Sequence, residues 1–200
     1  MQPWQPLLDF WFGDDSADAP RAARQAPLWW GKSSETDALL THRFGELAEG
    51  AAEGELAHWA EVPVGRLALI LLLDQLPRNI HRDTPAAFAQ DAKARDLCLR
   101  GLSLGADKAL SPLARVFFYL PLEHAESREQ QARSVALFEA LATEQAGGPA
   151  RETFEGFADF ARRHQVIVQR FGRFPHRNAI LGRTSTPEEA EFLQQPGSGF

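Results

Sequence analysis

A chain of 200 residues can bury roughly 70% of its unfolded surface, enough for a single domain spanning 1–200. With 27 acidic against 21 basic residues and a net charge of −6, it is not a protein that grips nucleic acid through its whole surface. A lone cysteine, Cys98, excludes an intramolecular disulfide and any multi-cysteine zinc site, and it suits a reducing, cytoplasmic compartment.

The chain opens on Met-Gln-Pro-Trp-Gln-Pro, with no basic stretch leading into an apolar run, so no signal peptide is expected. Leu7, Leu8, Phe10, Trp11 and Phe12 then predict a short apolar helix ending at Gly13, and Asp14 to Pro27 reads as a polar loop. Ser33 or Ser34 is placed to cap a helix carrying Leu39, Leu40, Phe44 and Leu47, with Glu35 and Asp37 at its positive end. Gly50 and Gly54 are expected to interrupt it. Pro63 opens a strongly apolar helix that Pro77 is expected to stop. Its apolar run, Leu67 to Leu73, is too short to cross a bilayer, so no membrane partner is expected.

Thr84-Pro85 predicts the start of a helix carrying Phe88, Ala92, Leu97 and Leu99 up to Gly101. Ser111-Pro112 repeats the device for Val116, Phe117 and Leu120, with a kink expected at Pro121. Ser127 with Gln130, and Thr186 with Glu189, have the spacing of capping boxes. Between them Gly147-Gly148-Pro149 precedes a long helix from Glu152 to Gly172. No stretch alternates with strand periodicity. The fold class is therefore all-α, about eight or nine helices packed as antiparallel pairs.

The stretch from Phe160 to Pro187 has no acidic residue, a local reversal of sign in an acidic chain. At 100° per residue, Phe154, Phe157, Phe160, Ala161, Ile167, Val168 and Phe171 fall on one stripe, with His164 at its centre. His164 is either a core histidine bonded to a neighbouring carboxylate or carbonyl, or an acid, base or ligand contact in a pocket floor. Asp74, on the face of Val64, Leu67 and Leu71, must be paired or neutral. His124 lies near Leu113, Phe117 and Leu120, with Glu123 and Glu126 beside it.

Two readings of these residues stay open. One is an ion-pair network in which arginines 78, 170, 173 or 177 meet the carboxylates and tie helices together, with function then lying in protein–protein contacts of a structural interaction module. The other is a polar cavity of Asp74, Arg78, Glu123, His124, His164, Arg173, His176 and Arg177. Its guanidinium groups would suit a small phosphate- or carboxylate-bearing molecule or an acidic peptide. There His124 or His164 would be the candidate acid–base residue of a hydrolase or transferase. Pro77-Arg78-Asn79, followed by Thr84-Pro85, has a counterpart in Pro175-His176-Arg177-Asn178, followed by Thr186-Pro187. One helix–loop–helix device is thus used twice.

Three signatures fail. Gly101-Leu-Ser-Leu-Gly105 has the nucleophile-elbow pattern without its strand. Gly31-Lys32-Ser33 lacks the first glycine of a phosphate-binding loop. No His-Glu-x-x-His spacing is present, so neither a metal site nor a cofactor is expected. Cys98 reads as a small core residue. Trp29 and Trp30 cannot both face inward from a helix, which leaves one to line a groove or a homodimer contact.

Leu8-Asp-Phe-Trp-Phe-Gly13, Leu71-Leu-Leu-Asp-Gln-Leu-Pro-Arg-Asn79, Leu120-Pro-Leu-Glu-His-Ala-Glu-Ser127, Arg170-Phe-Gly-Arg-Phe-Pro-His-Arg-Asn178 and Pro196-Gly-Ser-Gly-Phe200 together resemble the bacterial domain-of-unknown-function family 924. The resemblance runs over nearly the whole chain in order. It implies a tetratricopeptide-like α-α superhelix and no particular activity. The motif residues it marks are Asp74, Arg78, Asn79, Glu123, His124, Arg170, Arg173, His176, Arg177 and Asn178.

Overall fold

Ser33, Ser111, Ser127 and Thr186 each accept a hydrogen bond on the side-chain oxygen from the backbone N–H three residues on, at 3.2, 3.4, 3.4 and 3.2 Å. A helix starts at each. The computed structural model describes residues 2–13 and 17–199, and among these there is no strand. The helices are α1 (Gln5–Phe12), α2 (Asp18–Trp30), α3 (Ser34–Glu53), α4 (Pro63–Ile70), α5 (Leu76–Ile80), α6 (Asp91–Ser103), α7 (Pro112–Glu123), α8 (Arg128–Glu144), α9 (Arg151–Phe171) and α10 (Pro187–Phe192). The long helices α3 and α9 both end where a glycine takes a left-handed conformation, Gly54 at φ +87° and Gly172 at φ +74°, as a residue without a Cβ does with least strain.

The core explains which helices lie innermost. From Gly65 to Pro77 every residue is buried, and α7 is buried at Leu113, Ala114 and Val116 through Glu123. A helix apolar all round has no solvent face, so these two must be wrapped by the others. Trp11, Trp59, Phe117, Phe118, Tyr119, Phe138 and Phe154 are fully buried around them. A second, smaller apolar cluster of Ile167, Val168 and Phe174 closes the C-terminal end, with Phe171 and Phe192 against it.

Several local expectations are corrected. The loop assigned to 14–27 is helical from Asp18, because Ala22 and Trp29 bury one face of α2; the expectation for 14–16 falls outside the described residues. Gly50 does not interrupt α3 but is buried within it. Pro77 does not stop its helix. A π turn at Leu71–Gln75 resets the hydrogen-bond ladder, so Pro77 falls at the second position of α5, where its missing N–H is not needed.

Thr84 does not cap a helix. Its hydroxyl donates to the His81 carbonyl at 2.8 Å, Pro85–Phe88 forms only a 3₁₀ turn, and α6 starts at Asp91. Ser127 supplies half a capping box, whereas Thr186 and Glu189 form the full reciprocal pair. Of the adjacent tryptophans, Trp29 is buried and donates its indole N–H to the Trp11 carbonyl at 2.9 Å. Trp30 stays half-exposed and stacks on Phe117, ring planes 7° apart. No described helix is long and apolar enough to cross a membrane.

Candidate functional site

The π turn decides where the site begins. One extra residue in the turn re-aims the side chains beyond it, and such turns are often found at functional sites. Asp74 lies within this turn and is fully buried, while Val64, expected on the same face, is exposed. The Asp74 carboxylate accepts from Gln75 Nε2 at 2.6 Å and lies 2.9 and 3.0 Å from His124 Nδ1. Arg78 Nη1 stands 3.4 Å from Asp74 Oδ1 and also donates to the Asp74 carbonyl. Burial opposes ionisation of Asp74, but the charge of Arg78 and the contacts with His124 and Gln75 outweigh it and hold the carboxyl well below the usual range. An ionised carboxylate only accepts, so His124 must carry its proton on Nδ1, and its Nε2 is then an acceptor. Burial and the Arg78 charge push the His124 pKa down, so the imidazole is neutral.

Behind this pair, His164 Nδ1 lies 2.9 Å from the Phe160 carbonyl and 3.2 Å from Glu123 Oε1. The short distance to Glu123 looks like an ion pair, yet neither group is charged at pH 7. Burial and the Asp74 charge raise Glu123 to about 8, and burial with the neighbouring His124 lowers His164 to about 3. The two are better described as neutral, hydrogen-bonding groups in an apolar wall. The imidazoles of His124 and His164 have ring centres 6.1 Å apart. His176, half-buried near Phe174 at 5.6 Å, is lowered to about 4 by burial and Arg177.

The two Pro-Arg-Asn devices meet on a single carboxylate. Asp91, first residue of α6, accepts from Arg78 Nη1 and Nη2 at 3.0 and 3.1 Å and from Arg177 Nη1 at 3.3 Å. Arg177 is sandwiched, its guanidinium carbon 4.6 Å from the Phe88 ring centre and 4.5 Å from that of Phe174. It is only 6% exposed. Burial and the like charge of Arg78 lower its pKa to about 10, so it is protonated at neutral pH. Its Nη1 bond to Asp91 is long, and its Nε is buried with no acceptor.

The other residues marked by the sequence lie apart from this cluster. Asn79 donates to Asp37 at 3.0 Å, beside a paired Arg82. Asn178 donates to Glu189 at 3.3 Å, beside a paired Arg173 at 2.7 and 2.8 Å. Both asparagines thus anchor a carboxylate in the first turn of another helix, α3 or α10. Arg170 pairs with Glu188 on the surface at 2.9 Å. Sequence reasoning missed Asp91, Phe88, Phe174, Gln75 and Arg183. The last grips Glu126 at 2.6 and 2.8 Å, and Glu126 in turn accepts from the Phe174 N–H at 2.8 Å. The signal for Asp91 was available: two arginine devices need an acid, and Asp91 stands shortly after the first. Among the described residues, no three His, Cys, Asp or Glu side chains are grouped to hold a metal ion.

The sequence profile of a bacterial family of unknown function (DUF924) matches residues 7–197. The chain belongs to this family. A solved structure from Agrobacterium tumefaciens, described as a protein of unknown function, is similar at 38% identity and a TM-score of 0.78, over 96% of each chain. No curated protein matches the sequence. Membership of family 924 assigns no reaction, so what Arg78, Arg177 and the imidazoles do must be argued from their chemistry.

Proposed function

We propose that this family 924 protein binds a small anion, a carboxylate or phosphate on a metabolite or an acidic peptide, where Arg78 and Arg177 converge beside His124 and His176. The observation that carries this reading is the state of Arg177. A guanidinium has five N–H donors, and a buried one is ordinarily saturated by acceptors. Arg177 has a single, 3.3 Å bond. Arg173 and Arg183, by contrast, are engaged in short bidentate pairs with Glu189 and Glu126, so they hold the turn rather than the ligand. The Phe88 and Phe174 rings strip water from the cation and pre-orient its plane, which strengthens any hydrogen bond to an arriving oxyanion.

A thermal-shift titration with inorganic phosphate, citrate and a short acidic peptide tests the reading. At least one should raise Tm in the wild type, Arg177→Met should abolish that rise, and Arg170→Met, at a surface pair, should leave it intact. The absence of any wild-type shift, or an equal shift in Arg177→Met, sinks the proposal.

One observation favours a second reading, in which the bound metabolite is also the substrate of a hydrolase or transferase. The Asp74–His124 pair orients a neutral imidazole with Nε2 as acceptor, the form a general base needs. His164 is the weaker candidate, because its ring is set deeper against Phe160 and Glu123.

A further inference from the structure

Arg66, in the middle of α4, is 7% exposed, and among the described residues the groups that act on its charge include no carboxylate. Its Nη1 donates to the Leu97 carbonyl at 3.1 Å and its Nη2 to the Ala60 carbonyl at 2.7 Å. Two backbone carbonyls satisfy geometry but supply no counter-charge. Arg177, the other buried arginine, at least has Asp91. Burial, and after it the like charge of Arg100, push the Arg66 pKa down. Taking a cation out of water without a counter-charge costs free energy even where its N–H groups are hydrogen-bonded.

The fold nevertheless makes room for it. Gly101 sits inside α6, where a glycine weakens the helix. A Cβ there would come within 2.7 Å of Arg66 Cδ and 2.4 Å of Phe118 Cζ. The glycine therefore clears the path that the arginine takes. Arg66 also lines a cleft of 460 Å³ whose other walls include Ala60, Pro63, Leu104, Ala106 and Ala109. That volume lies within the range of small-molecule sites. Leu104 is 73% exposed, an apolar side chain left beside an uncompensated cation. Glu61 lines the same cleft and is exposed.

We propose that this cleft binds a small aliphatic carboxylate, with its head group on Arg66 and its alkyl chain along Leu104 and the alanine wall. Charge selects a monoanion. Arg66 supplies the positive charge that a carboxylate meets, and Glu61 on the same cleft disfavours a more highly charged head group such as a phosphate monoester. The site is separate from the Arg78–Arg177 cluster and does not rest on the function proposed for it.

Octanoate, below its micellar range, is the probe, with 1-octanol as its uncharged match. Octanoate should raise the Tm of the full chain in a saturable way, and octanol should do so at least tenfold less effectively by concentration. Arg66→Met should fold, because it removes an uncompensated charge while keeping the packing, and it should lose the octanoate response. Ala109→Trp, a change at an exposed position, should fill the cleft and lose the response with Arg66 still in place. If Arg66→Met does not fold, Ala109→Trp decides alone. No wild-type shift, an equal shift from octanol, or retention of the response in Ala109→Trp overturns the proposal. Arg177→Met should keep the octanoate response while losing that to phosphate or citrate, so failure at one site is distinguishable from failure at the other.

Discussion

Asp74→Asn is the sharpest perturbation of the buried network. It preserves side-chain volume and removes one negative charge from a site with no solvent exposure. Arg78 would keep Asp91, and the His124 Nδ1–H would face an amide oxygen instead of a carboxylate. Breaking one side of a buried charge pair costs about 3–5 kcal/mol, and the retained Asp91 bond places this case at the lower end, about 3 kcal/mol. Unfolding entropy near 60 °C is about 2.1 cal/mol/K per residue, so for a chain of this length Tm should fall by roughly 7 °C. The sign with pH comes from the depressed pKa. The contribution of Asp74 is present above the unfolded carboxylate value of about 3.9 and is lost as pH falls below it. Acid unfolding of the variant should therefore be shallower than that of the wild type below pH 4. Calorimetry across pH 2.5–7 reads both effects. A Tm loss under about 2 °C at pH 7, or an unchanged acid limb, refutes the account.

Glu123 gives the opposite sign. Its folded pKa is raised to about 8 while the unfolded chain ionises near 4.5, so the native state binds the extra proton between those values. Stability is then lost as pH rises through that window, by up to about 1.4 kcal/mol per pH unit. Glu123→Gln should match the wild type near pH 4 and exceed it increasingly up to pH 8 in urea unfolding; equal slopes for both proteins contradict the protonated state. For Gly101→Ala, helix propensity gains about 1 kcal/mol, but forcing a methyl against a fully buried Phe118 ring costs about 1–3 kcal/mol. The clash should win, giving a lower urea midpoint, and a raised midpoint would mean that Arg66 and Phe118 move freely.

The features legible in the sequence were local. Ser111, Ser127 and Thr186 declare their helices because a cap acts over three residues, and the all-helical class emerges from repeated 3.6-residue patterning. The π turn left no such mark, since the apolar run from Leu67 to Leu73 reads the same in either helical geometry. Phe160, placed by the winding within the α9 stripe, emerges 50% exposed, with Arg163 packed 5.4 Å over its ring. The site residues were found by charge out of place: Asp74, His124 and His164 on apolar faces, Arg177 in a basic turn. Asp91 was missed as the partner of Arg177, 86 positions away, and Arg183 was missed as the partner of Glu126, 57 positions away. Arg66 escaped for a different reason. It stands among apolar neighbours whose pattern reads as core, and its acceptors are backbone carbonyls that no side-chain pattern reveals.

The repeated Pro-Arg-Asn device acquires a physical logic from these pairings. In each copy the asparagine reaches a carboxylate at the start of another helix, Asp37 or Glu189, and a separate arginine, Arg82 or Arg173, clamps that carboxylate bidentately. The loop is then fixed without using the central arginine. Arg78 and Arg177 are released to turn inward, and both arrive at Asp91. Two cations facing Asp74 and Asp91, with three neutral imidazoles and a protonated Glu123, leave the cluster without net charge. The anion binding proposed for this cluster cannot therefore rest on a positive field, which salt would screen away. It has to come from unsatisfied donors in a dry setting. Asp91 already takes both Arg78 Nη groups, whereas Arg177 offers it one long bond. The guanidinium that the second copy of the device delivers between two phenylalanine rings is thus the one with donors left, and the proposed ligand oxygen would meet fewer competitors there than at Arg170, Arg173 or Arg183.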